Sequence, residues 1–454
     1  MSDLIKQDMT WQETLDYIED LQQYGSVPGL DNMYRLCEKL NHPEEKLKFV
    51  HIGGTNGKGS VLALISETLK EAGYRVGRYI SPTIFEYRER IQINGRKITK
   101  KDLAHEMSIM KEICESLVEE GKPHPTVFEI ETAICFHYFL QKECDIVVLE
   151  CGMGGLLDAT NVIQNTMVEV FASISYDHMA ILGKTLGEIA TQKAGIMKPG
   201  SRAVALKGEE EVEQVLLQKA KEVQIPLTFA DTSKARGIKS TLEKQTFTYK
   251  EHKNVAITLA GRYQIDNAVL ALEALDALTL AGLSIPEKAV QKGFLKALWP
   301  GRFQVIAKKP YFIADGAHNR DGAAKLAQSV QFYFTNKRII YIMGMLRDKE
   351  QEEVLKVTAP YAEQILTIPT KGARGLSSYD LACMARDYHE RVTSLDSVQE
   401  AVELAYLMAD KDTIIIAFGS LSFLGELIPL VEAISAEKNM DKIMMKVGKD
   451  SHGK

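Results

Sequence analysis

"KLKFVHIGGTNGKGSVLALISETLKEAG", residues 46–73, is the stretch whose reading decides the fold. "KLKFVHI" is a short apolar strand, glycines follow it, and "SVLALISETLKEAG" has helical periodicity closed by Gly73. In that setting glycines let successive N–H groups converge on phosphate oxygens, and the following helix adds the positive end of its dipole. The spacing departs from the common nucleotide loop, which has a glycine six residues before its lysine and a Ser/Thr directly after it. Here Ile52 stands six before Lys58, and Gly59 separates Lys58 from Ser60. A plain glycine-rich turn is the alternative, and a lysine between two glycines ahead of a Ser-capped helix argues against it.

The pattern continues on both sides of this stretch. Residues 11–40 carry apolar side chains at helical spacing, interrupted by "YGSVPGL". After the glycine loop come the strand "RVGRYI" ending at Ser81-Pro82, the helix "ETAICFHYFLQKE", the strand "DIVVLEC" ending at Glu150, and the strand "VEVFASIS" ending near Asp177-His178. Continuous apolar strands alternating with helices predict a parallel sheet covered on both faces. Residues 206–259 read as an excursion of helix and short antiparallel strands such as "QTFTYK" and "NVAITL". The helix "IDNAVLALEALDALTLAG" then leads to "LWPGRF", with Pro300-Gly301 as a linker. Beyond it "YFIADGAHN", "RIIYIMGM", "QILTIP", "RVTSL" and "TIIIAFGS" restart the α/β rhythm as a smaller Rossmann-like domain. The expectation is an α/β chain in two domains, 1–297 and 298–454, with a lysine-rich frayed or short helical tail from Ala436.

Bulk properties agree. A chain of 454 residues, 45% hydrophobic and 26% charged, exceeds one ordinary core and is globular in composition. A net charge of −6 gives no support for nucleic-acid binding, so an anionic ligand must be held by local cations and backbone N–H groups. Cys37, Cys114, Cys135, Cys144, Cys151 and Cys383 include no Cys-x-x-Cys pair, and the interval between Cys144 and Cys151 matches no zinc spacing. The N-terminus lacks a secretory pattern, and the apolar stretch 413–425 falls short of the roughly 20 residues that cross a bilayer. A soluble cytoplasmic protein with reduced thiols and no membrane partner is expected.

Ligands of open α/β sheets bind beyond the carboxyl ends of the strands. That rule gathers the glycine loop, Ser81, Glu150 and His178 at one edge. Lys58 supplies a mobile cation there, Ser60 a hydroxyl for Mg²⁺, and Glu150 a hard oxygen ligand. His178 rests on that shared edge, since a lone histidine is commonly a packing residue and imidazole is a less usual Mg²⁺ ligand. From spacing alone Lys193, in "GEIATQKAGIMKPG", is a solvated helical lysine. Asp315, at a later strand end, can accept from ribose hydroxyls or close an Asx-type turn, and Arg302 can reach a phosphate or lie on the surface.

The stretches "GTNGKGS", "SPTIFEYRERIQINGRKI", "LECGMGGLLDATNVI", "ISYDHMAILGKTLGEIATQKAGIMKPG", "GRYQIDNAVLALEAL", "WPGRF" and "DGAHNRDG" occur in this order. Together they resemble the folylpolyglutamate synthase/dihydrofolate synthase family, within the Mur ligase group of ATP-dependent amide-forming enzymes, from about Leu15 to Leu430. The resemblance implies that ATP phosphorylates a substrate carboxylate, that the amine of L-glutamate attacks the acyl phosphate, and that an amide and phosphate result.

Residue by residue, it matches Asn56, Gly57, Lys58, Gly59 and Ser60 to the triphosphate loop. Ser60, Ser81, Glu150 and His178 match ligands for one or two Mg²⁺. Lys193 matches a lysine carbamylated in the family, which turns a cation into a carboxylate able to support a second magnesium. Asn267, Arg302 and Asp315 match nucleotide contacts; Arg90, His318 and Ser420 match glutamate-site residues; Lys58, Lys193 and His318 are the implied catalytic set. Gly29, Leu30 and Asp31 in "VPGLDNM", Phe128 in "PTVFEIET" and Asp158 in "LLDATN" match folate-binding positions, with core packing the alternative for Phe128. Thr83-Ile84 stand where the family usually has His-Leu, and Arg320 where it often has Pro. "GLLDATN" resembles the bifunctional members that also act on dihydropteroate. The implied partners are folate or dihydropteroate, L-glutamate and ATP, with the enzyme a monomer. A Mur-type amino-acid ligase acting on a cell-wall precursor and a non-catalytic P-loop binding module are the competing readings.

Overall fold

The computed structural model describes residues 7–25 and 28–450, with side chains as far as Glu437. Ser26 and Val27 of the "YGSVPGL" loop and the first six residues lie outside the described residues. The chain divides into two compact units. One takes in the chain up to Lys239, Thr246–Thr258 and Gln264–Leu298; the other takes in Ser240–Gln245, Leu259–Tyr263 and everything from Trp299 onward.

The first unit is built on strands β1 (Phe49–Gly53), β2 (Val76–Tyr79), β3 (Ile91–Ile93), β4 (Arg96–Lys97), β5 (Ile146–Glu150), β6 (Thr166–Phe171), β7 (Arg202–Leu206) and β8 (Leu227–Ala230). Their order is β4-β3-β2-β5-β1-β6-β7-β8. From β2 to β8 neighbouring strands are parallel, and β3 and β4 add an antiparallel edge. Every residue of β1 and β5 is buried, as strands covered on both faces require. One cover is the helices Lys100–Glu119 and Val127–Gln141, whose Met107, Met110, Ile130 and Phe136 share a core with Phe49, Tyr79 and Leu149. Another is the helix Gln264–Leu280, against β6, β7 and the helix Lys58–Glu71. The helix Lys58–Glu71 also meets the helix Glu287–Lys296 so closely that a Cβ on Gly293 would sit 2.5 Å from the Thr68 Cα.

Two expectations are corrected here. β8, inside the supposed excursion, extends the main sheet in parallel with β7 because the helix Glu210–Glu222 makes the crossover. Only β9 (Arg236–Ser240), β10 (Gln245–Tyr249) and β11 (His252–Ile257) form the separate small sheet. The tail is helical further than expected: the last helix runs Leu424–Asp450.

The second unit has β12 (Gln304–Lys308), β13 (Tyr311–Ala314), β14 (Arg338–Met343), β15 (Gln364–Thr367), β16 (Val392–Ser394) and β17 (Thr413–Phe418) in the order β12-β13-β17-β14-β15-β16. All pairs are parallel except β12 with β13. Its core joins Ile313, Tyr341, Met343, Ile416 and Phe418 to Leu326 and Val330 of the helix Arg320–Tyr333. No helix among the described residues is long and apolar enough to cross a membrane.

Candidate active site

The glycine loop leaves β1 at the middle of the first sheet. Gly54 has φ +134°, and a Cβ there would lie 2.9 Å from Ala172 Cβ, so loop and neighbouring strand end approach at a distance only glycine permits. Thr55 N–H donates to Ser173 O at 2.7 Å, and Thr55 Oγ1 donates to Ser175 O at 3.0 Å while accepting from Ser175 N–H at 3.1 Å. The loop is thereby fixed to the segment that follows β6. Gly57, at φ +96°, is the N-cap of the helix Lys58–Glu71 and brings no side chain to its first turn. Ser60, expected to cap, lies inside that turn and is buried. Elsewhere Thr10, Thr126 and Thr185 close capping boxes over their helices. Here the orphan N–H groups of the first turn are presented to the strand-end edge, the arrangement that binds anions.

Two lysines meet over this loop. Lys58 Nζ donates to the carbonyls of Gly54 (3.2 Å) and Thr55 (3.3 Å) and lies 4.0 Å from Glu150 Oε1. Lys193, from the helix Leu186–Ala194, donates to the same Gly54 carbonyl at 3.0 Å. Lys193 is only 4% exposed, which corrects its reading as a solvated lysine. Burial, and then the Lys58 charge, push its amine down to about 7. Glu150 is buried at the last position of β5, level with Ile52 of β1. Because β2, β5, β1 and β6 are consecutive parallel neighbours, Ser81, Glu150, the loop and His178 follow four adjacent strands at one edge. His178 sits in the left-handed region (φ +50°) with its ring exposed, and its backbone N–H donates to Asp177 Oδ1 at 2.9 Å.

The expected folate positions also lie in this unit. A Cβ on Gly152 would sit 2.5 Å from Phe128 Cζ and 3.2 Å from Asp158 Oδ2, so Phe128 and Asp158 flank one bare backbone position. Phe128 is half-buried beside Tyr79, with ring centroids 6.1 Å apart. Asp158 is buried, accepting from Met153 N–H (2.8 Å), Thr160 N–H (3.0 Å) and Thr160 Oγ1–H (2.5 Å); desolvation raises its pKa. Behind it His51 Nε2 lies 2.9 Å from Thr160 Oγ1 and 3.0 Å from Cys151 Sγ. Complete burial drives His51 down to about 3, so the ring is neutral. His51 sits inside the apolar run "FVHI", and a threonine between Ala159 and Asn161 has no distinctive spacing, so the sequence pattern marked neither His51 nor Thr160. Gly29 and Leu30 are half-buried and Asp31 is exposed, at the start of the helix Asp31–Lys39. That helix is tied to the one carrying Phe128 by Asn32 Nδ2 donating to Glu129 Oε2 at 3.3 Å.

Arg90 lies in the turn Tyr87–Arg90, its Nε 3.1 Å from Oε1 of the fully buried Glu131. The same unit holds Asn267, whose Oδ1 would lie 2.4 Å from a Cβ on Gly57 and whose Nδ2 donates to Gln264 Oε1 at 2.9 Å.

Arg302, Asp315, His318 and Ser420 belong to the second unit. Asp315 and Ser420 follow the adjacent strands β13 and β17, and both are buried. Asp315 Oδ1 accepts from Ala317 N–H at 2.7 Å, and Oδ2 accepts from Phe303 N–H (2.7 Å) and Tyr263 O–H (2.9 Å). Burial raises its pKa, and the nearby Arg302 opposes the rise. His318 Nδ1 lies 2.7 Å from Gly316 O, which places the proton on that nitrogen. Ser420 Oγ accepts from Ser422 N–H at 3.2 Å.

Comparison with known proteins bears on what these groups serve. Residues 52–275 match the Mur ligase middle domain, and residues 301–421 match the Mur ligase glutamate ligase domain. A dihydrofolate synthase/folylpolyglutamate synthase of Bacillus subtilis is 36% identical over 353 residues, covering 76% of this chain and 82% of that protein. Among solved structures, Mycobacterium tuberculosis folylpolyglutamate synthase complexed with ADP is 28% identical with a TM-score of 0.85, covering 92% of this chain and 98% of that one. Escherichia coli FolC in complex with DHPP and ADP is 28% identical with a TM-score of 0.82, covering 94% and 98%.

Proposed function

Because the chain belongs to the dihydrofolate synthase/folylpolyglutamate synthase family of Mur-type ligases, we propose that it joins L-glutamate to a folate carboxylate at the expense of ATP. The convergence of Lys58 and Lys193 on the Gly54 carbonyl, beside an uncapped helix N-terminus and within 4.0 Å of Glu150, carries this reading. A carboxylate oxygen is a poor leaving group. Transfer of the terminal phosphoryl group of ATP to that oxygen forms an acyl phosphate and releases ADP. The glutamate amine then attacks the acyl carbon, the C–O bond to phosphate breaks, and the amine proton leaves with the solvent or a base.

In the proposal the first-turn N–H groups and Lys58 offset charge on the transferred group, the dominant requirement of phosphoryl transfer. The donor chemistry fits Mg²⁺, which would be held by the buried carboxylate of Glu150, the hydroxyls of Ser60 and Ser81 and the imidazole of His178. Bound there, the ion supplies Lewis-acid stabilisation of phosphate charge. Lys193 fits carbamylation, in which its neutral amine adds to CO₂ and releases a proton; an amine near pKa 7 is neutral in about half its molecules at neutral pH.

Phe128 and Asp158 border the folate subsite. Arg302 and Asp315 serve the nucleotide, and Arg90, His318 and Ser420 the amino acid. The folate enzymes among the relatives favour this reading over a cell-wall substrate. Dihydropteroate is a second acceptor, as the first part of the B. subtilis relative's name indicates. ATP as co-substrate and unpaired cysteines suit the cytoplasm. The test is ADP release with glutamate and, in turn, dihydropteroate, dihydrofolate and tetrahydrofolate. Lys58→Ala should abolish acceptor-dependent release, and unchanged turnover would refute the mechanism.

A further inference from the structure

Tyr263 has no role in the reading above, yet its hydroxyl is spent on Asp315. It ends the short segment Leu259–Tyr263 that the second unit takes from the middle of the chain. That segment is firmly held within the unit. Buried Gln245 donates Nε2–H to Leu259 O at 2.8 Å and to Gly261 O at 2.9 Å, and the Arg262 guanidinium lies 4.8 Å from the Phe332 ring centroid. Tyr263 is thus a donor on a fixed support.

A carboxylate offers about four acceptor positions. On Asp315 three are occupied: Oδ1 by Ala317 N–H, and both positions of Oδ2, by Phe303 N–H and Tyr263 O–H. The fourth, on Oδ1, is left for a ligand hydroxyl. Arg302 sits close to the neighbouring Gly316, where an added Cβ would meet its Nη1 first. A strand-end carboxylate of this kind can accept from a ribose hydroxyl. With Oδ2 filled, it can read one hydroxyl and not two.

We propose that Tyr263 is a positioning residue for the nucleotide: it saturates Asp315 Oδ2 and so restricts the carboxylate to a single ribose hydroxyl. The inference rests on the assignment of Asp315 to the nucleotide. Without the phenol, Oδ2 regains an acceptor position while the Ala317 and Phe303 N–H groups still hold the carboxylate, so both affinity and the choice between the two hydroxyls should suffer.

The experiment compares ATP, 2′-deoxyATP and 3′-deoxyATP in acceptor-dependent turnover by wild type, Tyr263→Phe, Tyr263→His and Asp315→Asn. Tyr263→Phe should raise KM for ATP about tenfold, the range for loss of a hydrogen bond to a charged group, with kcat within about twofold. It should also shrink the ratio of kcat/KM between the two deoxy analogues about tenfold. Tyr263→His, which restores an N–H donor, should recover most of that ratio and serves if the phenylalanine variant is unstable. In the Asp315→Asn background, Tyr263→Phe should add nothing to KM. If Asp315→Asn leaves KM for ATP unchanged, the nucleotide assignment itself fails. If Asp315→Asn raises KM while Tyr263→Phe alters neither KM nor the analogue ratio, the role of Tyr263 is refuted.

Discussion

Gly57 is the position where one added methyl group tests the geometry of the phosphate loop most directly. Its φ of +96° lies where an L-residue is disfavoured by about 1–2 kcal/mol. The new Cβ would also stand 2.4 Å from Asn267 Oδ1. Asn267 is 5% exposed and held by Gln264, so it cannot simply swing aside. Forcing it to move adds an overpacking cost of about 1–3 kcal/mol. Gly73 provides the matched control, with φ +97° and nothing within 4 Å of its Cβ position. Gly73→Ala should therefore lose only the backbone term, about 1–2 kcal/mol in denaturant unfolding, whereas Gly57→Ala should lose about 2–5 kcal/mol. Displaced first-turn N–H groups should also lower kcat/KM for ATP by about 10- to 100-fold in Gly57→Ala and not in Gly73→Ala. Adding Asn267→Ala to Gly57→Ala should recover part of the stability through a favourable coupling energy. Equal destabilisation by Gly57→Ala and Gly73→Ala would refute the contact, and normal ATP kinetics in Gly57→Ala would remove the loop from phosphate binding.

Lys193→Gln should leave folding cooperative but reduce kcat by about 100-fold or more, the scale of losing one electrostatic stabiliser. CO₂-depleted enzyme should lose activity and regain it with bicarbonate, half-maximally near pH 7 and more completely above it, because the amine is neutral only above its pKa of about 7; activity indifferent to CO₂ would rule out the carbamate. Glu169, fully buried on β6, is raised to about 8 by desolvation. A carboxyl whose folded pKa lies above its unfolded value stabilises the fold at low pH, and that contribution is lost as pH rises from about 4.5 to 8. Urea unfolding across that range should show stability falling in wild type and a flatter profile in Glu169→Gln; identical slopes would refute the assignment.

The parallel frame of both units was legible because strands covered on both faces must be apolar throughout, and "DIVVLEC" and "TIIIAFGS" have no other good reading. β12 and β8 were missed for physical reasons. β12 has three half-buried residues and one exposed residue, so its composition is mixed. β8 reads "LTFA", four residues with one buried, too short for periodicity to register. The membership of 240–245 and 259–263 in the second unit was equally hidden. It depends on contacts such as Gln245 with the Leu259 and Gly261 carbonyls, which join residues through tertiary packing and leave no local signal.

The candidate site separates along the same line. Ser81, Glu150 and the glycine loop could be placed by strand-end logic, because strand order and direction alone bring them to one edge. Lys193 could not. A lysine on an amphipathic helix is ordinarily solvated, and burial of an ammonium is costly enough that pattern reasoning assigns it outward. The structure buries it because its ammonium donates a hydrogen bond to the Gly54 carbonyl, with Nζ 3.0 Å from the oxygen. The same carbonyl accepts from Lys58, and the proximity of the two cations is what depresses the Lys193 amine beyond the effect of burial. The odd spacing of the loop then has a physical consequence. With glycine rather than a side chain at the helix N-cap, and with no residue larger than glycine tolerated at position 54, the loop leaves one backbone carbonyl where two lysines can meet. A loop with a Ser or Asp cap at position 57 would consume a first-turn N–H and place a Cβ against Asn267.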